Sequence, residues 1–420
     1  MSALSREIWF LARDRAALLL LGLAAASAIV AVVLGLQEIS EQRATLRDLI
    51  EADRVEREVV AEHQSDWGGA AYYSFHLTYD GPSEFAFAAM GQRDVAPWKH
   101  RIRMLALEGQ IYETDSSNPV FALTGRFDFA FVASLLAPLF LILLLHDQRS
   151  RERAAGRLNL LEATASQNGL WMHRSLLRTG TLGVALVGPL WAGGIIAGSS
   201  ASSLGVATVI VSAHLLFWWA VVSIVAAREW SSPVNLIGLL GVWILLAVIA
   251  PGAIRAGVNA GVSLPDGGDI LLTQREAVNG AWDLPKEATF EPFVERHPEL
   301  AEYAKIDTTF EWKWYYAFQQ VGDQKAEELS RAYYEGREKR DRVSGMLALL
   351  SPPVLTERLL QSQAQTDVSA SLAYEKNVRA YHAELRSWYY PKMFKDEAFE
   401  RDLLSERPQF GDRGGRLSGN

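Results

Sequence analysis

The chain has 420 residues, 49% of them apolar and 10% aromatic, with a formal net charge of −8 and no cysteine. Without cysteine, neither a disulfide framework nor a thiolate metal site can exist. The acidic balance, with no basic stripe interleaved with aromatics, argues against a nucleic-acid partner.

The apolar residues are clustered. A bilayer core needs about 20 apolar residues, or as few as about 17, and five stretches qualify: residues 16–36, 129–145, 180–198, 204–227 and 234–251. Arg6, Arg13 and Arg15 precede the first, as they would a secretory signal. Its apolar core is longer than that of a signal, and LGLQE after it offers no small-residue cleavage site, so it reads as a retained anchor.

Lys and Arg in short connections stay in the cytoplasm and set orientation. They stand before the first span and between the second and third (Arg149, Arg151, Arg153, Arg157, Arg174, Arg178), and Arg228 lies between the fourth and fifth, whereas SSASS between the third and fourth carries no charge. A cytoplasmic N-terminus follows, with two large polar regions, 37–128 and 252–420, outside the membrane.

In the first of these, Leu46, Leu49, Ile50, Val55, Val59 and Val60 are spaced for a helix. GGAAYYSFHLTYDGPSEFAFAAM then reads as strands and turns around Asp80-Gly81-Pro82. The second region reads as mostly helical. Its cluster of Trp312, Trp314, Tyr315, Tyr316 and Phe318 suits either the outer leaflet or an aromatic core. Residues 343–355 are apolar but short and broken by Pro352 and Pro353, so they are not expected to span.

The expected fold is thus a mainly α-helical polytopic membrane protein with about five spans, a mixed α/β insert and a helical C-terminal domain. Its parts are residues 1–36 (N-terminus and first span), 37–128 (first outer domain), 129–251 (spans two to five with the inner loop 146–178) and 252–420 (second outer domain).

Several chemistries lack their motifs. No Gly-Lys pair occurs, hence no phosphate loop, and H-E-x-x-H and G-x-S-x-G are missing. The eight histidines show no metal-ligand spacing, and His297 with Glu299 fits a helix surface. Neither catalytic nor metal-binding residues are assigned, and the chain is expected not to be an enzyme. Ionisable groups within a bilayer are costly and often functional. His214, mid-span in VSAHLLFWWA, could line a pathway or bond a neighbouring helix, and Asp128 could face water or cap the second span. These two and Pro138 are candidates for a pathway or gate. Gly193, Gly194, Gly198, Ser199 and Ser200 permit close helix packing.

Four segments taken together resemble the ABC-2 type permease family, and more closely its bacterial branch with a large extracytoplasmic insert and a C-terminal domain of unknown function. They are GQRDVAP (Gly91, Gln92, Arg93, Asp94, Pro97), NP at Asn118 and Pro119, GRFDFAF running into LAPLFLILLL, and the E-R-x-x-G-x-L loop. LLSPPVLTERLL, with Ser351 and Pro352, and QTD, with Thr366 and Asp367, extend the likeness.

The resemblance implies a transmembrane subunit of an ATP-driven exporter in a bacterial inner membrane, paired with a second homologous or identical permease. ATP and magnesium would sit on a separate cytoplasmic ATPase, with no cofactor in this chain, and a periplasmic partner is possible. The loop between spans two and three would dock that ATPase through Arg149, Arg151, Glu152, Arg153, Gly156, Arg157 and Leu158. Position 157 departs from the family, being Arg where Thr is usual, and the family's sixth span is not seen. Two other readings are a membrane-anchored sensor or assembly scaffold without transport, and an intramembrane protease.

Overall fold

The computed structural model describes residues 3–112, 127–164 and 167–413. The chain is helical almost throughout. Helix α1 is Ala3–Leu11, α2 Arg15–His63, α3 Trp67–Tyr73 and α4 Leu107–Tyr112. The middle of the chain holds α5 (Phe129–Phe131), α6 (Ala137–Leu145), α7 (Gln148–Ala154), α8 (Leu158–Thr164), α9 (Gln167–Ala197), α10 (Ala201–Ala226), α11 (Ser232–Ile244) and α12 (Ala250–Gly261). There follow α13 (Gly267–Gly280), α14 (Lys286–Arg296), α15 (Trp312–Leu347), α16 (Pro352–Ala364) and α17 (Val368–Phe394).

Among the described residues, five helices are long and apolar enough to cross a membrane: Arg15–His63, Phe129–Ala154, Gly169–Ala197, Ala201–Ala226 and Ser232–Gly261. They form a bundle whose outward side chains are large and apolar, such as Leu19, Val184, Ile195, Val209 and Ile237. That pattern is what a lipid-facing surface requires.

The first span and the helix expected after it are one element. α2 runs unbroken for 49 residues. At 1.5 Å per residue its polar part projects about 40 Å beyond the bundle. Asp14 starts it as N-cap, accepting from the Ala17 N–H at 3.2 Å.

The mixed α/β insert is nearly all helix and turn. GGAAYY belongs to α3, started by Asp66 accepting from the Gly69 N–H at 2.6 Å. Among the described residues only His76–Tyr79 (β1) and Lys99–Ile102 (β2) pair, antiparallel, with His76 opposite Ile102 and Tyr79 opposite Lys99. The alternation of aromatics that suggested longer strands instead reflects burial on all sides, since β1 is buried at all four positions.

The polar stretches on either side of the bundle in sequence share one hydrophobic core. Leu46, Trp67, Leu77, Ile102 and Ile111 pack with Phe293, Trp314, Tyr316, Phe318, Tyr381, Tyr390 and Phe394. Trp314, Tyr316 and Phe318 are therefore core residues, not a membrane belt. They pack beyond the end of α2, where the Tyr316 hydroxyl donates to the Gly68 carbonyl at 3.1 Å. Two buried ion pairs tie this domain further. Arg379 grips Glu108 through two bonds of 2.7 Å, and Arg386 meets Asp323 at 2.6 Å. Burial would raise the Asp323 carboxyl, but Arg386 and hydrogen bonds from the Leu107 N–H and Gln274 hold it below the usual carboxylate value. Burial also keeps His382 neutral, lowering it to about 3.

Candidate functional site

Two places hold the residues singled out in the sequence, one at each end of the bundle. At the arginine-rich end, α7, the polar tail of the Phe129–Ala154 stretch, forms with α8 a short hairpin leading to span three. The signature E-R-x-x-G there is a helix stop. Gly156 has φ +68°, the left-handed conformation that favours glycine. The Arg157 N–H donates to the Glu152 carbonyl at 3.0 Å and the Gly156 N–H to the Arg153 carbonyl at 2.9 Å. These are the two bonds of a Schellman cap. The Arg157 side chain then closes on Glu152, Nε to Oε2 2.9 Å. Arg157 thus pairs with Glu152, which is buried against the hairpin.

Beside the hairpin, acidic residues that the sequence reading passed over tie α1 and the start of the first span to the third span, and the hairpin itself reaches this cluster through Arg151. Asp14, which caps the first span, accepts from Arg178 of the third span at 2.9 Å and lies 3.9 Å from Arg151. Glu7 of α1 accepts from Arg174 at 2.8 Å. Burial would raise the Asp14 carboxyl, but the Ala17 N–H, Arg178 and Arg151 outweigh it and keep it below the ordinary value. Arg178 also donates to the Leu144 carbonyl at the end of the second span, at 2.9 Å. Glu7, Asp14, Arg151, Glu152, Arg157 and Arg178 line a cavity of about 420 Å³. Arg151, Gly156 and Arg157 are exposed, while Arg149, Arg153 and Leu158 are half-buried. The available signal was the pair of acids in REIWFLARDR, unexpected among topology-setting arginines.

At the other end, α16 is wedged into the bundle mouth. Two spans change register there, each just before an Ala-Pro pair. Val132–Leu136 and Leu245–Ile249 are π-helical, followed by Ala137-Pro138 and Ala250-Pro251. Proline has no N–H to give the preceding turn, so carbonyls are freed for other donors. His214 Nε2 bonds the Ser134 carbonyl at 3.1 Å, and the Trp243 indole the Leu135 carbonyl at 3.1 Å. The Ser351 hydroxyl donates to the Leu246 carbonyl at 2.6 Å. A carbonyl only accepts, so His214 Nε2 carries the proton, and in the neutral ring Nδ1 accepts from the Thr356 hydroxyl at 2.9 Å. Buried Pro138 therefore acts through the bulge it imposes, and His214 is a buried bridge from span four to span two and α16.

Asp128 is not water-exposed. It is 8% exposed and caps the second span, accepting from the Phe131 N–H at 2.8 Å and the Met90 N–H at 2.9 Å. The GQRD and QTD segments meet: the Gln92 N–H donates to the Thr366 carbonyl at 2.6 Å, and the Thr366 hydroxyl to the Ala89 carbonyl at 2.8 Å. Gly91 has φ +50°, and a Cβ there would lie 2.5 Å from the Thr366 carbonyl oxygen. Buried Arg93 bonds Asp80 and Gln42 at 2.8 and 2.9 Å, with Asp94 in the same turn. Asp367 caps α17 through the Ala370 N–H at 3.0 Å. Pro352 begins α16, and Pro97 is exposed beside β2. Asn118 and Pro119 lie outside the described residues.

Residues 343–355 form no continuous helix, since α15 ends at Leu347 and α16 begins at Pro352. They dip beside span five, leaving Met346, Leu349 and Leu350 largely exposed while Ser351 reaches Leu246. Among the described residues no group of three or more His, Asp or Glu side chains is placed to hold a metal ion.

A family described as a domain of unknown function, DUF3526, matches residues 270–412, from within α13 past α17 and so including the wedge helix α16. No curated protein and no solved structure matches the chain.

Proposed function

We propose that this chain is the membrane-spanning subunit of an ATP-driven ABC-2 type transporter, exporting or extracting its substrate across a bacterial inner membrane. The observation that carries this reading is the clamped hairpin. Arg151 of the stopped, ion-paired hairpin faces Asp14, and Asp14 and Arg178 join the starts of the first and third spans to the end of the second, so that the hairpin and these spans would move as one body. A soluble ATPase pressing on its exposed Arg151, Gly156 and Arg157 would shift all three spans together, the rigid-body transmission that such a machine needs. ATP and magnesium would be held by that separate subunit, and a second permease copy or homologue would complete the pathway.

The large domain and α16 would then form the extracytoplasmic gate. His214, Pro138 and Ser351 hold α16 in the mouth, so tilting of spans two, four and five would move it. Asp128 holds the same mouth from the Met90 side.

The test is co-purification from the native host. An ATP-hydrolysing phosphate-loop protein should accompany the chain and be lost on Glu152→Lys, which repels Arg157 and opens the hairpin. A scaffold or sensor is the second reading, favoured by the unbroken α2, which joins domain and bundle without any moving joint. It predicts that no ATPase binds the hairpin and that Glu152→Lys changes no partner.

A further inference from the structure

Beside the hairpin lies a smaller cavity, of about 170 Å³, between α7, α9 and α10 at the arginine-rich end of the bundle. That is several times the volume one water needs. Gln148, Arg149, Trp171, Trp219, Ser223 and Ala226 line it.

Its polar lining is lopsided. The Trp219 indole N–H is satisfied, donating to the Ser175 hydroxyl at 2.9 Å. Gln148 Nε2 and Trp171 Nε1 have no hydrogen-bond partner, although the two residues are only 6% and 5% exposed. Both unmatched groups are donors. The Trp171 ring is flanked by two cations, the Arg149 and Arg174 guanidiniums, 5.6 and 5.3 Å from its centroid. A buried donor left unmatched bears its full desolvation penalty. A ligand that only accepts, and is negative, removes that cost twice over.

We propose that this cavity seats the phosphate of an anionic phospholipid from the leaflet at the arginine-rich end. A turn of the two side chains toward the cavity would let the Gln148 and Trp171 N–H groups, now closed off from water, donate to its oxygens, with Arg149 balancing the charge. The acyl chains have a path beside it, since Met172, Leu176 and Leu216 are exposed apolar side chains on the adjoining helices. Gln148 opens the hairpin helix, so a bound lipid would brace the hairpin. The proposal needs the bundle to lie in a membrane, and it stands whether or not an ATPase docks on the hairpin.

The test uses the full chain in detergent micelles, given equal amounts of phosphatidylglycerol and phosphatidylcholine, with retained lipid counted by native mass spectrometry. Phosphatidylglycerol should be retained preferentially. Trp171→Phe, which keeps the ring and removes one donor, should lower its retention about tenfold, the equivalent of about 1.4 kcal/mol. Gln148→Glu, of nearly the same size, should lower it at least as far by repulsion. Helix content by circular dichroism checks that each variant is folded, and either one alone suffices. Equal retention of the two lipids, or folded variants that keep the wild-type retention, would overturn the proposal. Displacement by millimolar inorganic phosphate would also overturn it, assigning the cavity to a free anion.

Discussion

Replacing Asp14 separates its two roles at the hairpin. Its Oδ1 caps the first span on the Ala17 N–H, and its Oδ2 pairs with Arg178, whose side chain is 9% exposed. Asp14→Asn keeps an oxygen for the cap and loses the charge, whereas Asp14→Ala loses both. A cap contributes about 1 kcal/mol. Stranding a buried guanidinium costs about 3 kcal/mol, the lower end of the range for broken buried pairs because Arg178 keeps its bond to Leu144. Asp14→Asn should thus destabilise by about 3 kcal/mol and Asp14→Ala by about 4 kcal/mol. Combining Asp14→Asn with Arg178→Met removes the stranded charge, so the coupling energy of the cycle should be about 2 kcal/mol. The assay is sodium dodecyl sulfate titration of the protein in mixed micelles, followed by far-ultraviolet circular dichroism. Additive single effects, with coupling near zero, would refute the clamp.

Other predictions follow from the same contacts. Gly156→Ala meets open space but a φ of +68°, so it should cost about 1 kcal/mol in the hairpin alone, seen as faster amide exchange over α7 and α8 with an unchanged global midpoint. A Cβ at Gly35 would stand 1.9 Å from the Phe87 carbonyl oxygen, which is backbone and cannot swing aside. Gly35→Ala should therefore destabilise by about 2–3 kcal/mol in the same titration. Thr356→Val leaves buried His214 Nδ1 without a donor and should cost about 1–2 kcal/mol. The loosened α16 should then expose a cysteine placed at buried Leu360 to a thiol reagent.

His382 supplies a pH dependence for the large domain. Its folded value of about 3 lies below that of an unfolded histidine. The unfolded chain therefore takes up the proton first, and stability falls as pH drops below about 6.5 toward 3. At pH 5 the His382 share of the loss should be about 2 kcal/mol, and His382→Gln, which can still donate to the Arg103 carbonyl, should remove that share, leaving the part due to buried His76 and His100, which burial also lowers. Asp323, held low, adds loss in the same direction at more acid pH.

Local signals made the spans legible. Uninterrupted apolar runs and arginines at one set of ends fix five helices without any knowledge of contacts. The helix stop at Gly156 was equally present in E-R-x-x-G, because a glycine four residues after a glutamate is the spacing of a Schellman cap. Even the π-bulges left a trace in the two Ala-Pro pairs within apolar runs.

What escaped were contacts between residues distant in sequence. The shared core of Trp67 and Phe293, the Glu108 to Arg379 pair and the ties from Glu7 and Asp14 to the third span have no periodicity to betray them. The strands were over-read around Tyr72 and Tyr73 because aromatic residues suit both a pleated sheet and a short helix buried among other aromatics. Only the Asp66 cap decides between them. Asp128 appeared exposable for a related reason: its second partner, the Met90 N–H, comes from a loop 38 residues earlier.

The central claim is mechanical coupling of the hairpin to a separate ATPase, and the absence of cysteine in the chain allows it to be tested without background. Leu160 on α8 is 67% exposed. Leu160→Cys, crosslinked in intact cells of the native host, should trap a single cytoplasmic protein that hydrolyses ATP. Its yield should change when nucleotide is depleted. Labelling of that cysteine by a membrane-impermeant reagent added outside, or crosslinking that never captures an ATPase, would contradict the account.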